Sequence, residues 1–205
     1  MKVFKFIPVA LVLLLSPLAA RAEGKVAIGA QGGLTFPDFH VKDNATAAAL
    51  YDNKNGWLGG LYLEFGVWSI TLRPEVNYVE KGYTVAGLTE VKNRYIEVPV
   101  LVKINPIADA VISPFLVLGP QWSTQVSEKI SPVGAGVSTS YTNNITNWDI
   151  SAVAGLGLEV NISEHVGFNV QGRYSYGFRD VDASAIDMRN RTIYALVGLT
   201  FQGAF

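Results

Sequence analysis

Apolar and polar residues alternate along most of this chain with the two-residue period of a β-strand, whose side chains point to opposite faces in turn. The last stretch shows it well. Ile193, Ala195, Val197, Leu199, Phe201, Gly203 and Phe205 share one parity and are apolar or glycine, whereas Tyr194, Leu196, Gly198, Thr200, Gln202 and Ala204 are small, polar or mixed. Between 148 and 160 the contrast is cleaner still: Trp148, Ile150, Ala152, Ala154, Leu156, Leu158 and Val160 against Asp149, Ser151, Val153, Gly155, Gly157 and Glu159. Along the whole chain the pattern predicts eight strands, at 26–36, 57–67, 70–79, 95–104, 110–123, 148–160, 166–176 and 191–205. Pro74 falls inside the third, where its missing N–H removes a ladder bond, so the register there is the least constrained. The fifth is apolar on both parities, and placing Ser113, Gln121 and Ser123 inside turns Ile112, Leu116, Leu118 and Trp122 outside.

The connections alternate in length. Polar stretches at 37–56, 82–93, 124–147 and 178–190 are long, and the turns near 68–69, 105–109 and 161–165 are short. Beyond residue 22 no apolar run is long enough for a membrane helix, which takes about 18 or more residues. The other structure that satisfies every backbone polar group in lipid is a closed barrel. An even number of strands with long loops at one end and tight turns at the other is the layout of bacterial outer-membrane barrels. The expected fold is therefore all-β: an eight-stranded antiparallel up-and-down transmembrane β-barrel. Running the strands up and down places Phe36, Trp57, Tyr78, Trp122, Trp148, Tyr174 and Tyr176 at one rim and Phe65, Trp68, Phe168, Phe201 and Phe205 at the other, as interfacial girdles require. A soluble lipocalin-like barrel would instead bury the apolar parity and expose the polar one.

Residues 1–22 carry Lys2 and Lys5, an apolar run from Phe6 to Leu15 and the small-residue end Ala20-Arg21-Ala22, the layout of a secretory signal peptide. Residues 23–205 are then the barrel domain. Removing Lys2, Lys5 and Arg21 leaves 13 basic side chains against 17 acidic ones, a net charge of −4. That balance, without a basic tract, argues against a nucleic-acid partner. The absence of cysteine removes disulfides and thiol chemistry.

The inward parity collects Glu64, Arg73, Glu75, Glu97, Lys103, Asp149, Glu159 and Arg173. An eight-stranded barrel has a lumen just wide enough to be filled by side chains, whereas an open channel takes about 16 strands. Charges in so narrow a space must pair, because an isolated buried charge is very costly. The expectation is a polar plug rather than a proton or ion relay. No catalytic, cofactor-binding or metal site is expected. Neither GxSxG nor HExxH occurs. The two histidines are His40, in the first long connection near Asp38 and Asp43, and His165, in a short turn. An outer-face lipid-modifying enzyme built on His40 and a loop serine is an alternative that no residue spacing supports.

Tyr95-Ile96-Glu97-Val98-Pro99-Val100-Leu101-Val102-Lys103 resembles the Tyr-x-Glu-x-Pro strand of PorT-like outer-membrane β-barrel domains, a group often labelled porin family. Pro114-Phe115 through Gly119-Pro120 is similar to the strand that follows it there, and Arg173-Tyr174-Ser175-Tyr176-Gly177 to the penultimate one. The overall form is also similar to OmpA- and OmpX-type barrels. The resemblance implies a place in the bacterial outer membrane, and the porin label speaks to shape rather than conductance. The function expected is non-enzymatic, in envelope structure or in presenting the loops at 37–56 and 124–147 to a protein partner; the alternative is a small pore. Outer-membrane lipid and lipopolysaccharide are the expected surroundings, and a monomer the expected state.

Overall fold

A computed structural model describes residues 25–41, 51–85, 89–107, 110–132, 139–141, 148–178 and 188–203. Ten strands follow in order: β1 (Lys25–Val41), β2 (Tyr51–Lys54), β3 (Gly56–Val67), β4 (Ile70–Val85), β5 (Thr89–Ile104), β6 (Ile112–Pro132), β7 (Thr139–Tyr141), β8 (Trp148–Asn161), β9 (Val166–Gly177) and β10 (Met188–Gly203). Eight of them close a barrel in the ring order β4-β3-β1-β10-β9-β8-β6-β5, with β5 returning to β4. Every pairing is antiparallel, and the first and last strands meet along their length from Val26↔Gly203 to Val41↔Met188. The short β2 and β7 add to the ends of β4 and β6.

The apolar parity faces out. Leu61 is 61% exposed and Leu156 68%, while Val79, Leu101 and Thr200 on the other parity are fully buried. The inverse arrangement of a soluble lipocalin-like barrel is thereby ruled out. The outward apolar row of β10, from Ile193 to Phe201, matches the roughly 9–11 residues that cross a bilayer at a steep tilt. One aromatic belt holds Trp57 against Tyr78, ring centroids 5.5 Å apart, with Trp122, Trp148 and Tyr174 on the same outward face. Phe65, Phe168 and Phe201 stand at the opposite end, Phe65 beside Val26 and Phe168 beside Leu199. Phe205 and residues 1–22 lie outside the described residues.

The ends differ. One, here the turn end, carries Trp68–Ser69, the connection after Asn105 and the turn Ile162–His165, together with Lys25 and Gly203. Val67 pairs with Ile70, so Trp68 and Ser69 make a two-residue hairpin turn, and Trp68 takes a left-handed φ of 59°. Such turns ordinarily place glycine there, yet Trp68 is 93% exposed, its ring free to lie at an interface.

At the other, loop end, the strands run further than the alternation predicts. The stretch 82–93, expected as a connection, is strand on both sides of 86–88, with Gly82↔Lys92 and Val85↔Thr89 in register. The stretch 124–147 contributes nine more residues of β6, through Pro132, and all of β7; 37–56 contributes the end of β1, all of β2 and the first residue of β3. Likewise the last strand begins at Met188 rather than Arg191, and the fifth at Ile112 rather than Ala110. The cause is solvent. Within the bilayer one face meets lipid and must be apolar; above it both faces are wet, and a strand such as Thr124-Gln125-Val126-Ser127-Glu128-Lys129-Ile130 loses its alternation while keeping its β-prone residues. A β-bulge between Arg94 and Tyr95 marks the point where β5 and β6 leave the barrel wall, as bulges do at barrel rims. The resulting projecting sheet, β2-β4-β5-β6-β7, stands above one side of the ring. Pro74 interrupts the ladder without shifting it: Leu72↔Val102 before and Asn77↔Glu97 after keep the same register.

Candidate functional site: the charged lumen

Strand alternation delivers the inward polar side chains, and the ring order sets what each can reach. β4 lies diametrically across from β9, β3 from β8 and β5 from β10. Charged side chains bridge these walls in three tiers.

In the central tier Glu75 of β4 accepts from both terminal nitrogens of Arg173 in β9, each at 2.7 Å. This two-pronged geometry is the strongest form of carboxylate–guanidinium contact. Gln31 of β1 knits it together, donating to Glu75 at 2.8 Å and Asn77 at 2.9 Å while accepting from Arg73 at 3.0 Å. Gln171 and Asn77 fill remaining positions, donating to Gln31 and Glu75.

Nearer the turn end, the Lys103 ammonium of β5 lies between Glu159 of β8, at 2.6 Å, and Glu64 of β3, at 3.1 and 3.3 Å to its two oxygens. Arg73 joins the two tiers. Its Nε is 2.9 Å from Glu75 and its Nη1 3.4 Å from Glu64. Both nitrogens miss hydrogen-bond alignment, so they act as ion contacts, and the guanidinium carbon stacks 3.6 Å over the Tyr62 ring. Tyr62 is in turn held by Thr200 at 2.8 Å and by the Asn169 amide at 3.0 Å.

Towards the loop end, Lys81 donates to Glu97 at 2.8 Å and to the Tyr194 hydroxyl at 3.1 Å, and Tyr194 reaches across from β10 to donate to Glu97. Around these charges sit two apolar clusters, Leu58, Val79, Tyr194 and Leu196 in one, Leu101, Phe115, Val117 and Val153 in the other. They lower the local dielectric and strengthen each ion contact.

Of the eight charges expected inside, Glu64, Arg73, Glu75, Lys103, Glu159 and Arg173 form one connected set, three acids with three bases. Glu97 belongs to the separate Lys81 tier. Asp149 stands near the loop end, half-buried, opposite Ser123. Lys81 escaped the sequence reading because its strand was ended at Val79; two residues further on, the same parity reaches it. The bridging amides Gln31, Asn77 and Gln171 lie on inward positions, but only the barrel's register shows which carboxylates they serve.

The histidines occupy opposite ends. His40 pairs with Arg189 at the loop end of β1, and His165 is exposed in the Ile162–His165 turn. They cannot act on one substrate. Asp43 lies outside the described residues, as do two of the loop serines, Ser138 and Ser184. Among the described residues no group of three or more His, Asp or Glu side chains is arranged to hold a metal.

The family of outer membrane protein β-barrel domains matches residues 18–183. No curated protein sequence matches the chain. Among solved structures, Neisserial surface protein A, NspA, is similar at 12% identity and a TM-score of 0.53, over 86% of this chain and 96% of that one. OprG from Pseudomonas aeruginosa matches at 12% identity and a TM-score of 0.48, over 89% of this chain and 98% of that one. Ail, the attachment invasion locus protein of Yersinia pestis, matches at 17% identity and a TM-score of 0.47, over 88% and 100%. Identities this low speak to the fold alone.

Proposed function

The chain belongs to the family of outer membrane protein β-barrel domains, and from that premise we propose a non-catalytic barrel whose lumen is closed by its ion-pair tiers and whose projecting sheet presents a surface to a partner outside the cell. Its place is the bacterial outer membrane. Barrels of this kind turn their short connections to the periplasm and their long ones outward, so the turn end is periplasmic and the projecting sheet external. The exposed apolar row contacts lipid acyl chains and, in the outer leaflet, lipopolysaccharide. Export through a signal segment at 1–22 fits that destination, as does a monomeric barrel whose strands all find partners within one chain.

One observation carries the closed lumen. Glu75 and Arg173, from opposite walls, bond at the centre of the barrel with Glu75 2% and Arg73 beside it 0% exposed. Charges so desolvated leave no room for a hydrated ion. The purified barrel inserted in a planar bilayer should therefore stay electrically silent, and steady discrete openings would refute the closed lumen.

The Tyr95-x-Glu97-x-Pro99 strand supports a place among PorT-like barrels, and its residues have a physical use here. Glu97 and Pro99 are buried inward positions, Glu97 anchoring the outermost tier. The projecting sheet is the part with no structural duty below it. Excising Tyr83 to Val91 and closing Gly82 to Lys92 with Asn-Gly, the residues of a tight hairpin turn, should leave the melting temperature of the barrel within about 3 °C while abolishing adhesion of whole cells to their target surface. Unchanged adhesion would show that the sheet is not the presenting surface.

A further inference from the structure

The projecting sheet carries its charges in courses. Residues directly opposite on neighbouring strands share a face, so each pairing can be followed straight across the sheet. Lys54 of β2 lies opposite Gly82 of β4, Gly82 opposite Lys92 of β5, Lys92 opposite Lys129 of β6, and Lys129 opposite Ser140 of β7. Three lysines thus occupy one course across five strands, and no acid stands in it. The acids of the same face belong to the courses on either side. Glu80 is one step nearer the membrane and 3.2 Å from Arg94, while Asp52 and Glu90, both opposite Thr84, are one step further out.

The pairing of the sheet does not by itself favour this arrangement. Like charges directly opposite each other destabilise a strand pair, and Lys92 and Lys129 are Cα partners. An anion seated over the two would reverse the effect. Height decides which anion. Down the same face Lys92 is followed by Arg94 and Ile96, and Gly82 by Glu80 and Tyr78; Tyr78 belongs to the aromatic belt with Trp57. Two residues of a tilted strand rise about 5 Å, which sets Arg94 about 5 Å and the lysines about 10 Å above that belt. Aromatic belts lie at the level of the lipid headgroups. The cations therefore stand at and just above the headgroups, on a face continuous with the surface that meets lipid.

We propose that the lysine course, with Arg94 beneath it, binds the phosphate groups of an outer-leaflet lipopolysaccharide headgroup. The inference rests on the projecting sheet being external, and it divides the outward face of that sheet: the lower courses hold the membrane's own glycolipid and the outermost remain for a partner. Lys54 and Lys92 also contact other groups of the chain. An ammonium carries three donors, so a phosphate adds to those contacts rather than replacing them.

The test is energy transfer from the belt tryptophans to dansyl-labelled deep-rough lipopolysaccharide, titrated into the full barrel folded in zwitterionic detergent at low salt. The same lipid after phosphatase treatment is the second probe. Saturable binding of the phosphorylated form is expected, weakened by salt, about fivefold weaker in Lys92→Gln and about twentyfold or more weaker when Lys54→Gln, Lys92→Gln and Lys129→Gln are combined. Lys92→Arg with Lys129→Arg should keep the affinity. Glu90→Gln, on the neighbouring course, should bind as tightly as the native chain or more so, which a general loosening of the sheet would not give. Unweakened binding by the triple variant, or indifference to the loss of phosphate, overturns the proposal. So does lysine-dependent binding of a soluble heparin oligosaccharide in preference to the lipid. Adhesion lost on excising residues 83–91, beside lipid binding that the lysine variants leave unchanged, would remove this inference alone and leave the presenting surface standing.

Discussion

Replacing Glu75 by alanine should destabilise the barrel by about 4 kcal/mol or more, measured by reversible urea unfolding in lipid vesicles. The carboxylate is shared by Arg173, through two 2.7 Å hydrogen bonds, and by Arg73 at 2.9 Å. Its loss leaves two guanidinium groups facing each other in a desolvated space, and removing one partner of a buried ion pair costs on the order of 3–5 kcal/mol. A surface pair supplies the control. Glu80 and Arg94 sit 3.2 Å apart, but the arginine side chain is 40% exposed, and water competes for both. Arg94→Ala should cost at most about 1 kcal/mol. The comparison bears on function as well as stability. Were Glu75→Ala as mild as Arg94→Ala, water must already reach and screen the central tier, and the closed lumen would fall with it. Replacing Arg73, Glu75 and Arg173 together by leucine or methionine should recover much of the loss, because the penalty comes from uncompensated charge rather than from missing attraction.

How far this arrangement was legible in the sequence follows from where the solvent changes. Within the membrane lipid enforces one greasy face, so alternation assigns Arg73, Glu75, Glu159 and Arg173 to the interior from their neighbours alone. Beyond the rim the same strands read as polar loops, because nothing requires Tyr83-Thr84-Val85 or Glu128-Lys129-Ile130 to sort its residues by face. The misplaced strand end at Val79 hid Lys81, and with it the partner of Glu97. Which charges meet is a different problem. Glu75 and Arg173 lie 98 residues apart and touch only because β4 and β9 face each other across a closed ring. Composition limited the interior to a balance of acids and bases; closure and register chose the pairs.

Glycine at position 29 illustrates the same division and supports a second large effect. In the sequence it is one more small residue on the inward parity. In the barrel a Cβ at this position would fall inside the ring of Tyr62 from the neighbouring strand. That ring cannot yield cheaply, since its hydroxyl is bonded to Thr200 and Asn169 and its face carries Arg73. Gly29→Val should therefore cost about 3 kcal/mol or more, combining overpacking with the displaced hydrogen bonds. The pair can be tested as a cycle. Tyr62→Ala alone removes the ring and its contacts and is destabilising by a few kcal/mol; Gly29→Val added to it should cost little further, because the space is now vacant. A coupling of about 2 kcal/mol or more between the two changes, measured by urea unfolding in vesicles, is the expected result. Strict additivity would mean that Tyr62 does not occupy the space over Gly29, and would remove the support on which Arg73 is stacked between the central and periplasmic tiers.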